Sequence, residues 1–230
     1  MLVLAFPAAA FGTNCYILAP APGAECLVVD PGIGVVDTLQ EVLAQHHLKP
    51  AAVLLTHGHL DHVWSVAPVC GADTAAYIHQ LDRYRLTDPL ASVEPAVLTM
   101  FEQQFGARAT WHEPDTVVDL ADGATLRLAG LPVTVTHAPG HTEGSVMFGL
   151  DEVPEGIDAP VERSVLTGDV IFAGSIGRTD LPGGDPQAMQ ASLRDMVVPL
   201  PDTTLLLPGH GPATTMAAER ATNPFLQGLS

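Results

Sequence analysis

The sequence predicts an α/β (α+β) chain in which two sheets pack face to face with helices on the outside. Strand-like and helix-like segments alternate along its 230 residues, with the helices fewer. Hydrophobic residues make up 47% and charged residues 15%, a balance that suits many buried strands. The length allows one sizeable core. No linker divides the chain, so a single domain over 1–230 is expected, with a helical insertion at about 80–112.

The first strand is expected over Met1–Phe6 and the next over Asn14–Leu18. The apolar start is read as a strand and not as a signal peptide, because it lacks a basic leader and Pro7 interrupts it early. Further apolar, β-branched runs predict strands at Cys26–Asp30, Ala52–Leu55, Ala75–Ile78, Ala124–Leu128, Val133–His137, Ser145–Leu150, Ser164–Thr167 and Thr204–Leu207. Helical spacing predicts helices over Val35–His46, Val63–Val69, Val93–Phe105, Pro186–Met196 and Ala213–Arg220. In the first of these, Val36, Leu39, Val42 and Leu43 share one face. Asp185 before Pro186 reads as an N-cap followed by proline at the first helical position. Asp151–Arg163 is read as a long hairpin connection. The segment Gln80–His112 holds Tyr84, Trp111, Arg83 and Arg85, and is read as the insertion or as a lid over the site.

The formal net charge is −17, which repels polyphosphate backbones and argues against a nucleic-acid partner. No apolar run is long enough to span a bilayer, so no membrane partner is expected. Cys15, Cys26 and Cys70 all sit in apolar settings; they are read as buried thiols in a cytoplasmic protein, not as a disulfide framework.

The chemistry is concentrated in Thr56-His57-Gly58-His59-Leu60-Asp61-His62, directly after an apolar strand. Imidazole and carboxylate both suit zinc, and imidazole also suits iron. The alternation His-x-His-x-Asp-His lets side chains point to two sides of a loop, so one segment could feed two metals. More donors are then needed. His141, Asp169 and His210 each follow an apolar run and sit beside Gly or Pro, as donors at the tips of strands do. His46, His47, His79 and His112 lack that context; His46 and His47 are read as the exposed end of a helix, and His137 as a shaper of the turn before His141.

His57-x-His59-x-Asp61-His62, then His141, Asp169 and His210 in that order, resembles the metallo-β-lactamase superfamily. The resemblance extends from Gly12-Thr13-Asn14-Cys15-Tyr16 to Asn223-Pro224-Phe225-Leu226. Within that superfamily, Gly174–Asp185 is similar to the short glyoxalase II (hydroxyacylglutathione hydrolase) branch, and its Gly-Arg-x-Asp element is shared with persulfide dioxygenases. The resemblance implies a four-layer αββα sandwich of the metallo-β-lactamase type, with metals at one edge between the sheets. It implies that His57, His59 and His141 hold a first metal, that Asp61, His62 and His210 hold a second, and that Asp169 bridges them. Two divalent ions are implied, zinc first and iron or manganese as alternatives, sharing a hydroxide that Asp61 orients. Asp30 or Asp180 is expected to accept a ligand ring N–H.

A thiolate leaves without a proton donor, so thioester cleavage is expected over amide cleavage; the resemblance implies a small acyl-thiol such as S-lactoylglutathione as the substrate. The larger glyoxalase II form grips glutathione with a C-terminal helical domain, whereas 20 residues follow His210 here. Arg178 is the candidate substrate contact, with buttressing of its own loop as the plainer reading. The alternative activity is a mononuclear iron persulfide dioxygenase using two His and one Asp. A true β-lactamase is disfavoured, since that branch typically carries Cys where Asp169 stands.

Overall fold

A computed structural model describes residues 1–91, 93, 99, 103 and 111–229. Among these residues, two six-stranded sheets and a small two-stranded one form the framework. The first sheet runs in sequence order through β1 (Leu2–Pro7), β2 (Asn14–Ala19), β3 (Glu25–Val29), β4 (Lys49–Leu54), β5 (Ala75–His79) and β6 (Val117–Leu120). β1 to β3 are antiparallel neighbours, and β3 to β6 are parallel. The second sheet is built from β7 (Thr125–Leu128), β8 (Leu131–His137), β9 (Val146–Leu150), β10 (Arg163–Gly168), β13 (Thr204–Pro208) and β14 (Thr214–Thr215). The hairpin β11 (Ile171–Phe172) and β12 (Ser175–Ile176) stands beside it.

Strand alternation explains the layering. In β2, Cys15, Ile17 and Ala19 pack outward with Leu39 of α1 (Val36–His46) and with Val66 and Cys70 of α3 (Val66–Cys70). The intervening Tyr16 and Leu18 face the other sheet, where they join Val133, Val135, Phe148, Leu166 and Leu207. On the far side, Met147, Val165 and Leu206 meet Met189 of α4 (Pro186–Ser192) and Met216 of α5 (Met216–Thr222). A period of two thus gives each sheet two apolar faces, and three apolar layers stack four layers of structure in the order αββα. The expected fold class is what the chain adopts. Among the described residues, no helix is long and apolar enough to cross a membrane.

Most expected elements are present, within a residue or two of the expected ends. Asp185 caps α4, accepting from the N–H of Gln187 at 2.7 Å and of Ala188 at 3.1 Å. β9 and β10 pair antiparallel across the 151–162 connection, as a long hairpin does. Several boundaries need correction. The helix expected over Val63–Val69 is two short ones, α2 (Leu60–Val63) and α3. Ser65 separates them because its N–H donates to Pro31 O and its hydroxyl to Gly32 O. The helix expected from Ala213 starts at Met216, since Thr214–Thr215 first pair with β13. The helix from Pro186 passes into a π-turn over Leu193–Val197. β6, β11, β12 and β14 were not expected, being short or, in Val117-Val118-Asp119-Leu120, too polar to stand out. Of the expected insertion, a 3-10 turn at Arg83–Leu86 is described; the helix expected over Val93–Phe105 lies outside the described residues apart from isolated positions.

Candidate metal centre

β4, β8, β10 and β13 end at the same edge of the sandwich, and each hands its donors to the loop that follows. His57 and His59 precede α2, while Asp61 and His62 lie in its single turn. His141 follows β8, Asp169 follows β10 and His210 follows β13. All seven side chains singled out from the sequence meet here, although His57 and His210 stand far apart along the chain.

They meet as two end groups, His57, His59 and His141 and then Asp61, His62 and His210, linked by a third made of His57, His62 and Asp169. His57 Nε2 lies 3.1 Å from His59 Nδ1, which lies 2.8 Å from His141 Nε2. In the second group, His210 Nε2 stands 3.3 Å from His62 Nε2 and 3.2 Å from Asp61 Oδ2. The Asp169 carboxylate reaches both: Oδ2 is 3.5 Å from His141 Nε2 and 3.6 Å from His210 Nε2, and Oδ1 is 3.4 Å from His62 Nε2. Asp169 Oδ1 is buried and has no hydrogen-bond partner. A carboxylate oxygen withdrawn from water needs a partner, and a cation is one. Donors bound to a tetrahedral ion at about 2.0–2.2 Å stand about 3.3–3.6 Å apart, close to the spacing found. The residues present therefore fit divalent metal ions.

The electrostatics match that fit. Burial first, and then the neighbouring imidazoles, hold His57 well below its ordinary pKa. Burial and His141 push His59 down to about 3. Burial likewise lowers His141, against the pull of Asp169. These three rings are neutral at neutral pH, with lone pairs available as ligation requires. Burial opposes the charges on Asp61 and Asp169, but His62 outweighs it and holds both carboxyls below the usual range. The same attraction runs the other way: against burial, Asp169 and then Asp61 raise His62 well above its usual value. The hydrogen bond to Asp61 raises His210 in the same manner. To hold a cation, the His62 and His210 rings would have to give up the proton those carboxylates favour.

Behind the donors stands a further ring of contacts. Asp30 accepts from Thr56 N–H at 2.8 Å and Thr56 Oγ1 at 2.6 Å, and its Oδ2 is 2.9 Å from His62 Nδ1. It does so from a left-handed backbone, φ 49°, at the end of β3. His141 Nδ1 pairs with Arg178 O at 2.7 Å, and Thr13 Oγ1 donates to Asp61 Oδ2 at 2.9 Å. Gly209 lets the His210 loop approach closely; a Cβ there would strike Asp169 Oδ1 and lie 2.7 Å from His62 Cε1.

Of the two carboxylates expected to orient a ligand ring, Asp30 does so and Asp180 does not. Asp180 is exposed, and its carboxylate is taken up by the exposed Arg178 guanidinium in a two-pronged pair at 2.7 Å per bond. Arg178 bears on the cluster through its carbonyl oxygen and is one of the residues lining the cavity beside it. That cavity, of about 520 Å³, has Asp61, His141, Asp169 and His210 in its wall and Phe11, Leu60, Leu181 and Pro182 around them. His46 ends α1, and His137 bridges its turn to Glu143 O at 2.8 Å while stacking on His79 at 4.1 Å. Cys15, Cys26 and Cys70 are free and buried away from the cluster.

Sequence reading missed Thr13, Thr56, Asp82 and Arg85. Thr56 and Thr13 carry a weak signal, as a hydroxyl next to the donor loop and one in a Gly-Thr-Asn turn. Asp82 and Arg85 carry none until the fold places them.

The model of the metallo-beta-lactamase superfamily matches residues 8–210. An uncharacterized protein of Mycobacterium tuberculosis is 45% identical over the full length of both chains. The hydroxyacylglutathione hydrolase GloC of Haemophilus influenzae is 31% identical, covering 97% of each. Among solved structures, the B3 metallo-beta-lactamase BLEG-1 superposes with a TM-score of 0.78 at 33% identity over 99% of this chain and 100% of that one. TTHA1623 in a di-iron-bound form gives 0.75 at 36% identity over 97% and 100%. With donors, layering and sequence in agreement, the chain belongs to the metallo-beta-lactamase superfamily.

Proposed function

We propose that this protein is a metal-dependent thioesterase that cleaves S-lactoylglutathione or a related hydroxyacyl-thiol. The observation that carries the reading is the pair of donor groups joined by Asp169 and opening onto one cavity. In this reading His57, His59, His141 and Asp169 hold one divalent ion, and Asp61, His62, His210 and Asp169 hold the other. Zinc suits the nitrogen-rich set; iron and manganese are the alternatives, and the di-iron form of TTHA1623 keeps iron prominent. When bound, the ions supply a water acidic enough to be a nucleophile near neutral pH and a positive field for charge developing on the acyl oxygen.

The chain's own residues do the rest. Asp61, fixed by Thr13, orients the attacking water. Asp30 and the Arg178 carbonyl hold the His62 and His141 rings so that their lone pairs point inward. Phe11, Leu60 and Leu181 exclude water around the acyl group. Apart from the ligands, the described cavity lining offers no side chain that would protonate a leaving amine. A thiolate needs no such acid, which favours thioester over amide cleavage. Arg178, at the cavity wall, is the candidate contact for a substrate carboxylate. The net charge of −17 favours a small-molecule substrate over nucleic acid, and the three buried thiols fit a cytoplasmic setting.

The test is metal quantification on purified protein beside turnover of S-lactoylglutathione. The reading expects about two ions per chain and thiol release, with lactam cleavage much slower. One iron per chain, with oxygen uptake on glutathione persulfide, would move the protein to the dioxygenase reading.

A further inference from the structure

Asp82 is a completely buried carboxylate that touches no donor of the cluster. Its Oδ2 accepts from Gly58 N–H at 2.7 Å and from Thr142 Oγ1 at 2.7 Å. Its Oδ1 accepts from Gly144 N–H at 2.8 Å and lies 3.4 Å from Arg85 Nε. Gly58 is the residue between His57 and His59, and Thr142 directly follows His141. One side chain, rooted in the turn after β5, therefore ties together the two loops that carry the first donor group.

Arg85 extends the clamp. It is 4% exposed, and its Nη2 donates to Glu143 Oε2 at 2.7 Å and to Pro182 O at 2.9 Å. Its aliphatic stem lies on the Gly58 peptide so closely that a Cβ there would be 2.6 Å from Arg85 Cδ. Pro182 lines the cavity. The second donor group has other supports: Asp30 holds His62 and Thr13 holds Asp61, although Asp30 also reaches His57 of the first group through Thr56 Oγ1, 3.1 Å from His57 Nδ1.

A carboxylate taken out of water is strongly unfavourable unless its acceptor sites are filled. Here three hydrogen bonds from the two ligand loops fill most of them, and the Arg85 guanidinium adds an ion pair at 3.4 Å without a hydrogen bond from Nε. Three ring nitrogens of the first group stand in a row with steps of 3.1 and 2.8 Å, His57 Nε2 to His59 Nδ1 to His141 Nε2, so their placement depends on how these two loops are held. We propose that Asp82, supported by Arg85, is a positioning residue for the first metal: it fixes His57, His59 and His141 through their backbones and leaves the second group untouched. The proposal rests on the two-ion reading above.

The test is Asp82→Asn in the full-length protein, which keeps the shape but turns one acceptor into a donor facing either Gly144 N–H or the Gly58 and Thr142 donors. Zinc affinity is measured by chelator competition without substrate, on metal-stripped and refilled protein. Amide exchange at Gly58 and Gly144 is measured on the metal-stripped protein. One of the two ions should bind roughly 10–100-fold more weakly, the range for losing an outer hydrogen-bond partner, with the other ion unchanged. Gly58 and Gly144 should lose protection while Thr56, held by Asp30, keeps it. Equal weakening of both ions, or of neither, or unchanged exchange at both glycines, overturns the proposal. Should Asp82→Asn not fold, Thr142→Val should weaken the same single ion several-fold and Thr142→Ser should restore it. A wild-type chain that binds fewer than two ions sinks the two-ion reading, while amide exchange still decides the role of Asp82.

Discussion

The two sheets contribute to the centre in opposite ways. The first sheet delivers four donors from one six-residue segment, His57 to His62, so their spacing is set by chain connectivity and by the turn of α2. The second sheet delivers one donor from each of three strand ends, His141, Asp169 and His210, which only tertiary structure brings together. Each metal group draws on both sheets. The centre therefore reports on the apolar layer between the sheets as much as on its own loops, and perturbations can be sorted by which kind of order they break.

The largest effect should come from Asp169, the second-sheet donor that reaches both groups. Asp169→Ala should lower thioester turnover by about 10³-fold or more and remove the paired occupancy; a variant with two ions and full activity would contradict the bridging role. Next comes the layer between the sheets. Phe148, wholly buried there, should cost about 3–5 kcal/mol on truncation to Ala, a fall in Tm on the order of 10 °C. Because the sheets shift relative to each other, both ions should weaken together; selective loss of one ion would show that the loops hold their geometry without the layer. Asp30→Asn should act locally instead, weakening the ion at Asp61, His62 and His210 by roughly 10–100-fold in a chelator titration, with a smaller loss at the other ion, because Asp30 reaches His57 only through Thr56. The smallest effect should come from Arg178→Gln. Its side chain is exposed and paired with Asp180, so Tm should not move, and KM for an anionic acyl-thiol should rise no more than several-fold. A large fall in kcat there would place the guanidinium at the reacting atoms.

The same contrast explains what was legible in the sequence. The donor segment could be read directly, because His57, His59, Asp61 and His62 are adjacent in the chain. His141, Asp169 and His210 were legible as strand-end donors and through the family pattern they complete. The continuous apolar run of β2 is buried on both faces, whereas β8 alternates buried and exposed positions; both patterns mark strands. The supports were not legible. Asp82 meets Gly58 and Thr142 from 24 and 60 residues away, and Asp180, near Gly177 and Arg178 in the sequence, points to solvent instead of to a ligand ring. The edge strands β6 and β14 were missed because a short strand with polar positions gains its identity from its neighbour's open edge and not from its own residues.

The most direct measurement is an anomalous-scattering map from crystals of the metal-loaded protein. The account predicts two peaks, one ligated by His57, His59 and His141, the other by Asp61, His62 and His210, with Asp169 bound to both. A single peak, or density at which Asp169 is not a ligand, would contradict it.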